Sequence, residues 1–140
     1  MRDLRRFLAG RWRLARRIED RRLALAGSLR GRVTLTPAGG GLDYAESGTL
    51  SFGSWRGEAT QRYRFLFDGA QVAVCFADGR LFHRCDLSLG RAEVAHACSP
   101  DRYQGRYRIL DADRWALSWR ITGPRKDLVI GSVYTRLDEG

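Results

Sequence analysis

Tyr63-Arg64-Phe65-Leu66-Phe67-Asp68-Gly69-Ala70-Gln71-Val72-Ala73-Val74 is the stretch whose reading decides the fold. Large apolar residues alternate with other residues on both sides of an Asp-Gly pair, which is the pattern of a β-hairpin. Taking Asp68-Gly69 as the two-residue turn sets Phe67 opposite Ala70 and Tyr63 opposite Val74. Asp78-Gly79 repeats the signal and sets Val74 opposite His83 and Val72 opposite Cys85. Loops over 88–91, 99–102, 110–114 and 122–127 then set His83 opposite His96, His96 opposite Gly105, Gly105 opposite Trp119, and Trp119 opposite Ile130. The expected inward row is Tyr63, Val74, His83, His96, Gly105, Trp119 and Ile130, with Arg62, Arg64, Arg84, Arg102, Arg106, Arg108 and Arg120 turned to solvent.

Working outward, Asp3 is placed to cap a short helix whose apolar face is Leu4, Phe7 and Leu8. A first strand over 11–19 puts Trp12, Leu14, Arg16 and Ile18 on one side. A second over 23–36 turns Leu25, Gly27, Leu29, Gly31, Val33 and Leu35 inward, the glycines suiting a strong bend. After a loop over 37–41, the third turns Leu42, Tyr44, Glu46, Gly48, Leu50 and Phe52 inward. Residues 53–60, with Trp55, read as an irregular lid. About ten antiparallel strands result, and closing them removes the two edges that an open sheet would expose. The expected fold is all-β, a single closed antiparallel up-and-down barrel with a short N-terminal helix, formed as one domain over 1–140.

Lysine and arginine number 25 against 16 acidic residues, a net charge of +9, and all the bases but Lys126 are arginine. Most of these arginines fall at outward alternate positions, so solvation accounts for them. No recognition-helix pattern, zinc-finger spacing or aromatic sheet motif accompanies the charge, which argues against a nucleic-acid partner. Cys75, Cys85 and Cys98 are odd in number and lack framework spacing, which fits reduced thiols; Cys85 and Cys98 fall on the inward face. Phe7-Leu8-Ala9 is too short for a signal peptide or a span, so no membrane association and a cytoplasmic location are expected. Oligomeric state is not fixed by the sequence.

Gly10-Arg11-Trp12 together with Arg136 resembles the lipocalin and fatty-acid-binding-protein superfamily, the calycins. That resemblance implies that Trp12 and Arg136 pack together to close the bottom of the barrel. Phe82-His83, His96-Ala97-Cys98, Asp101-Arg102-Tyr103-Gln104-Gly105-Arg106-Tyr107, Trp115, Trp119 and Gly123-Pro124-Arg125-Lys126-Asp127 are similar to an uncharacterised family of small bacterial calycin-like barrel proteins. This second resemblance implies the fold and no particular activity.

Inside such a barrel, Arg16 and Glu46 form either an anion anchor with its partner carboxylate or a pair that satisfies itself. Tyr44, Tyr63, Tyr103, Tyr107 and Tyr134 add inward hydroxyls, and a dry core would not choose five of them. A wet cavity is expected. His83 and His96, as directly opposed partners, would lie about 4.5–5.5 Å apart at Cα. They suit hydrogen bonding to tyrosine, acid/base work of isomerase or lyase type, zinc, or haem held by His96 beside the bare Gly105, as in nitrobindin-like barrels. Arg125 and Lys126, on a turn stiffened by Pro124, stand at the mouth as candidate anion contacts. The candidate ligand-binding set is therefore Arg16, Tyr44, Glu46, Tyr63, His83, His96, Tyr103, Tyr107, Trp119, Arg125 and Lys126, with no metal or cofactor assigned. The leading reading is a barrel that binds a small anionic or aromatic metabolite or cofactor. The alternatives are the isomerase or lyase, the haem protein, and an interaction module using Phe82 as an outward apolar residue.

Overall fold

A computed structural model describes residues 3–137. Helix α1 (Leu4–Leu8) leads into ten strands: β1 (Gly10–Asp20), β2 (Leu25–Ala38), β3 (Gly41–Phe52), β4 (Trp55–Asp68), β5 (Gln71–Phe76), β6 (Leu81–Asp86), β7 (Arg91–Cys98), β8 (Asp101–Asp111), β9 (Arg114–Gly123) and β10 (Lys126–Arg136). They form one antiparallel sheet in the order β6-β5-β4-β3-β2-β1-β10-β9-β8-β7. Because β1 pairs with β10, the sheet curls into a barrel through its two chain ends. The barrel is nearly closed: β6 and β7 are the sheet edges and face each other across a seam with no ladder among the described residues.

The bottom is sealed as the calycin resemblance implies. Asp3 caps α1 by accepting from the Arg6 N–H, and Leu4, Phe7 and Leu8 are buried against the core. Trp12, fully buried, donates its Nε1–H to the Leu8 carbonyl at 2.9 Å, which ties strand to helix. Across β1 and β10, Trp12 is the register partner of Arg136. The Arg136 guanidinium carbon sits 4.3 Å from the centre of the Trp12 ring, and its Nη2 donates to the Phe7 carbonyl. A cation over an indole with a carbonyl acceptor beside it keeps its charge partly solvated while covering apolar surface. On β2 and β3, Gly31 faces Gly48 so closely that a Cβ on Gly31 would stand 2.6 Å from the Gly48 Cα, an approach only glycine permits.

Four registers agree with the sequence reading: Val74 opposite His83, Val72 opposite Cys85, Gly105 opposite Trp119, and Trp119 opposite Ile130. Six of the seven outward arginines are exposed; Arg64 is half-buried, donating to Asp43 and to the Ala38 carbonyl.

Several expectations are corrected. The hairpin after β4 turns on Gly69-Ala70, with Gly69 at φ +60° in the first central position, so Tyr63 faces Phe76 and Phe65 faces Val74. Glycine-first turns are as compatible with strand twist as the Asp-Gly kind, and the choice shifts the register by two residues without changing the face. The same device at Gly53 (φ +61°) joins Phe52 to Trp55, so residues 53–60 are no lid but a two-residue turn and the start of the long β4. Ser99-Pro100 alone makes the β7–β8 turn, which pairs His96 with Tyr103 and Val94 with Gly105. His83 and His96 are not strand partners, because the seam separates β6 from β7. Cys98, at the end of β7, is exposed. Between Val74 and Cys75 the β5–β6 register slips, and Phe82 becomes the extra residue of a bulge. A bulge re-aims the side chain it inserts, and Phe82 turns into the barrel instead of outward.

The clasp generates a stability test. Trp12→Ala removes a fully buried indole together with its hydrogen bond and its stacked cation, and is expected to cost about 3–5 kcal/mol. In thermal denaturation that is a fall of roughly 10 °C or more. A change below about 1 kcal/mol would show that the helix and Arg136 do not depend on it.

Candidate functional site

The alternation of β1 leaves Arg16 on the inner face between Leu14 and Ile18, and the register set by Trp12 and Arg136 brings Ser132 opposite it. On β3 the same alternation puts Tyr44 and Glu46 inward. Residues of three strands thereby meet. The Arg16 Nη1 and Nη2 donate to the two oxygens of Glu46 at 2.8 and 2.9 Å, and its Nε donates to Ser132 Oγ at 2.8 Å. The Tyr44 hydroxyl donates to Glu46 Oε1 and lies 3.0 Å from the Tyr134 hydroxyl. Since the Tyr44 proton is committed to Glu46, Tyr134 donates to Tyr44. The side chain of Glu46 is 3 % exposed and that of Arg16 19 %.

Burial on its own would lower the Arg16 pKa, but its hydrogen bonds to Glu46 and the charges around it outweigh that and raise it. Burial chiefly, with the carboxylate and the neighbouring phenols adding to it, holds Tyr44 well above the ordinary phenol range. Burial also raises Tyr134, against the nearby guanidinium. The cluster is thus a protonated guanidinium, a carboxylate and two intact phenols, and its charge balances. A buried ion pair needs this completeness, because desolvation otherwise exceeds the Coulombic gain.

The cluster forms one wall of a cavity of about 360 Å³ in the part of the barrel away from α1. Tyr63, beside Tyr44, and Phe82, His83, Tyr103, Tyr107 and Trp119 line the rest of it, together with Leu29, Leu50 and Leu117. His83 Nε2 lies 2.7 Å from the Tyr107 hydroxyl. Burial first, and the neighbouring His96 second, push the His83 pKa down to about 4, and burial holds Tyr107 well above the phenol range. His83 is consequently neutral at pH 7. The Tyr107 hydroxyl has no other partner among the described residues, so Nε2 accepts its proton and Nδ1 carries the ring N–H. That Nδ1 is buried without a hydrogen-bond partner, as is the Trp115 Nε1–H.

Of the sequence-predicted set, Arg16, Tyr44, Glu46, Tyr63, His83, Tyr103, Tyr107 and Trp119 come together around the cavity. The other three do not line it. His96 packs edge-on against Phe82 at 5.2 Å and against Tyr103 at 5.8 Å. Lys126 forms an ion pair with Asp101 at 3.3 Å, and Arg125 is exposed on its turn. A Cβ at Gly123 would collide with the Asp101 carboxylate, so glycine there lets the β7–β8 and β9–β10 turns clasp. The space beside Gly105 is filled, since a Cβ there would meet the Trp119 ring at 2.6 Å and Val94 at 2.8 Å, and its partner on β7 is Val94, not His96. Among the described residues no group of three or more His, Cys, Asp or Glu is placed to hold a metal ion. Missed by the sequence reading as site residues were Ser132, Tyr134, Phe82 and Gln61, whose Nε2 donates to the Tyr63 hydroxyl at 2.9 Å. Pairing Trp12 with Arg136 and counting four residues inward would have found Ser132 and, two residues in, Tyr134.

The chain belongs to the family of unknown function DUF6314, which it matches over residues 8–136. No curated protein matches it in sequence. Among solved structures, the S-type phycobiliprotein lyase CPES from Guillardia theta superposes with a TM-score of 0.68 at 8% identity, over 96% of this chain and 91% of that one. A protein of unknown function from the DUF3598 family of Nostoc punctiforme PCC 73102 gives 0.63 at 14% identity, over 97% of this chain; the match spans about half (51%) of that longer protein. A redesigned β-barrel, mFAP1, bound to DFHBI gives 0.52 at 13% identity, over 96% of this chain and 100% of that one. These likenesses establish a shared barrel fold.

Two outcomes are expected from the site's electrostatics. Because the folded-state pKa of His83 (about 4) lies below its ordinary 6.5, the unfolded chain takes up the proton first, and the stability His83 permits is lost as pH falls from 6.5 towards 4. Between pH 7 and pH 4.5 the wild type should lose roughly 2–3 kcal/mol more than His83→Gln, measured by urea denaturation. Equal losses would show that His83 is protonated in the fold. Glu46→Ala should cost about 3–5 kcal/mol by stranding Arg16, and Arg16→Met/Glu46→Leu clearly less; a double variant as damaged as the single one would contradict the pairing.

Proposed function

For this member of a family without an assigned activity, we propose that the barrel binds a small molecule in its interior, one with a polar end and a flat, largely apolar body. The observation that carries this reading is the state of Arg16. Of the five N–H donors on a guanidinium, three are committed to Glu46 and Ser132, the Tyr134 hydroxyl also stands within reach, and the residue lines the cavity with donor capacity beyond its ion pair. Glu46 fixes the guanidinium plane in advance, so a ligand oxygen would be gripped with little further loss of side-chain freedom. Because the pair is charge-balanced, the site suits a carboxylate, carbonyl or similar acceptor and does not demand a full anion. The aromatic lining supplies flat apolar surface for the rest of the ligand. Two of the fold neighbours lend support at the level of architecture, one being bound to DFHBI and the other a phycobiliprotein lyase. Three free cysteines, one of them exposed, fit a reducing, cytoplasmic setting.

A catalytic use of the same pocket would fall on His83 and Tyr107, which are hydrogen-bonded at 2.7 Å, and not on His83 with His96. With the proton held by Tyr107 at neutral pH, the tyrosine would be the proton donor, and turnover would vanish in Tyr107→Phe.

The test is a thermal-shift screen against a metabolite collection followed by calorimetry. Hits should bear an acceptor group on a flat framework, and Arg16→Met/Glu46→Leu, correctly folded, should bind them at least ~10-fold more weakly, about 1.4 kcal/mol. Hits bound equally by the double variant would place recognition elsewhere.

A further inference from the structure

Phe82 owes its inward position to the β5–β6 bulge, and it lies on an edge strand held by a ladder on one side only. Its ring is stacked nearly parallel to three others: Trp119 at 5.3 Å and 16°, Phe76 at 4.8 Å and 20°, and Tyr63 at 6.0 Å and 24°. The ring of His83 stands beside it, edge-on, at 4.6 Å and 78°. A flat group thus occupies an aromatic slot bordering the cavity, beside the ring of His83, whose buried Nδ1 has no partner among the described residues. A half-buried residue that only filled core would not need a bulge to bring it in, nor leave a donor stranded at its side.

We infer that Phe82 is a displaceable plug, holding the place of a planar heteroaromatic ring that the ligand inserts between Trp119 and Phe76, with a ring acceptor taking the His83 Nδ1–H. This rests on the interior-binding reading above and specifies its ligand class. The seam between β6 and β7 gives the phenyl ring somewhere to go, since no ladder bonds need break on that side. The interaction it loses is replaced in kind, one stacked ring for another.

The test uses two neutral probes of like shape, 7-methoxycoumarin, which carries acceptors, and 2-methoxynaphthalene, whose fused ring system carries none, titrated by fluorescence into the full chain. Phe82→Ala should bind 7-methoxycoumarin at least ~10-fold more tightly than wild type, and Phe82→Leu should show a smaller gain in the same direction should the alanine variant fold poorly. Leu117→Ala, which enlarges the same cavity without removing a ring of the slot, should give no comparable gain. The preference for coumarin over naphthalene should disappear in Phe82→Ala/His83→Phe. Wild type binding the coumarin with Phe82→Ala unchanged or weaker would make Phe82 a fixed wall, overturning the plug while leaving interior binding intact. An equal gain in Leu117→Ala would reduce the effect to added space and overturn it as well. No binding by any variant, with no hit in the metabolite screen, would remove both readings together.

Discussion

One cross-strand pair, Trp12 with Arg136, sets the geometry on which the interior depends. It joins the first strand to the last, and once those two residues face each other the rest of the β1–β10 ladder has no freedom. Two residues inward Leu14 meets Tyr134, and four residues inward Arg16 meets Ser132. The stacking of a guanidinium on an indole at the barrel's bottom therefore also decides which groups confront each other in the cavity above. A slip by one residue would turn Arg16 to solvent and bring Arg17 inside.

The polar cluster above that clasp is expensive to build and complete once built. Glu46 accepts from Arg16 and Tyr44, Arg16 is held by Ser132 as well, and Tyr134 completes the chain through Tyr44. A hydrophobic replacement of similar volume would commonly serve stability as well or better. Placing the cluster at a cavity wall, with donor capacity beyond the ion pair, is what gives the arrangement a use beyond holding strands together. Over the rest of the cavity the character changes to stacked rings around a neutral histidine, so the interior presents a polar wall and an aromatic one.

How far the sequence spoke depended on what fixed each register. The turn at Asp78-Gly79 closes one residue early, Gly79 donating to the Phe76 carbonyl and Phe76 to that of Arg80, and the bulge at Phe82 cancels the offset, so that period-two counting still places His83 against Val74. The β8–β9 and β9–β10 registers were legible because the alternation on either side is long and unambiguous. Gly69 and Gly53 show why others were not: a glycine with positive φ can occupy either central position of a tight turn, and local composition does not choose. The seam between β6 and β7 is a property of the whole barrel, arising where the curled sheet meets itself, and no local pattern around residues 87–90 announces it. Phe82 was lost for a related reason. A bulge breaks the very periodicity by which faces are assigned, so the residue it turns inward reads as outward. Arg16, Glu46, Tyr44 and the inward tyrosines were found because a charged or hydroxylated residue in an apolar row is conspicuous. Ser132 escaped because serine is unremarked on either face.

The central claim is that this interior holds a small molecule anchored at Arg16. Native mass spectrometry of the protein isolated gently from its own cells tests it most directly, with Arg16→Met/Glu46→Leu expressed alongside. The account predicts a discrete adduct on the wild type that is absent from the double variant. The same adduct on both proteins, or a wild type of bare polypeptide mass that takes up nothing from a cell extract, would contradict it.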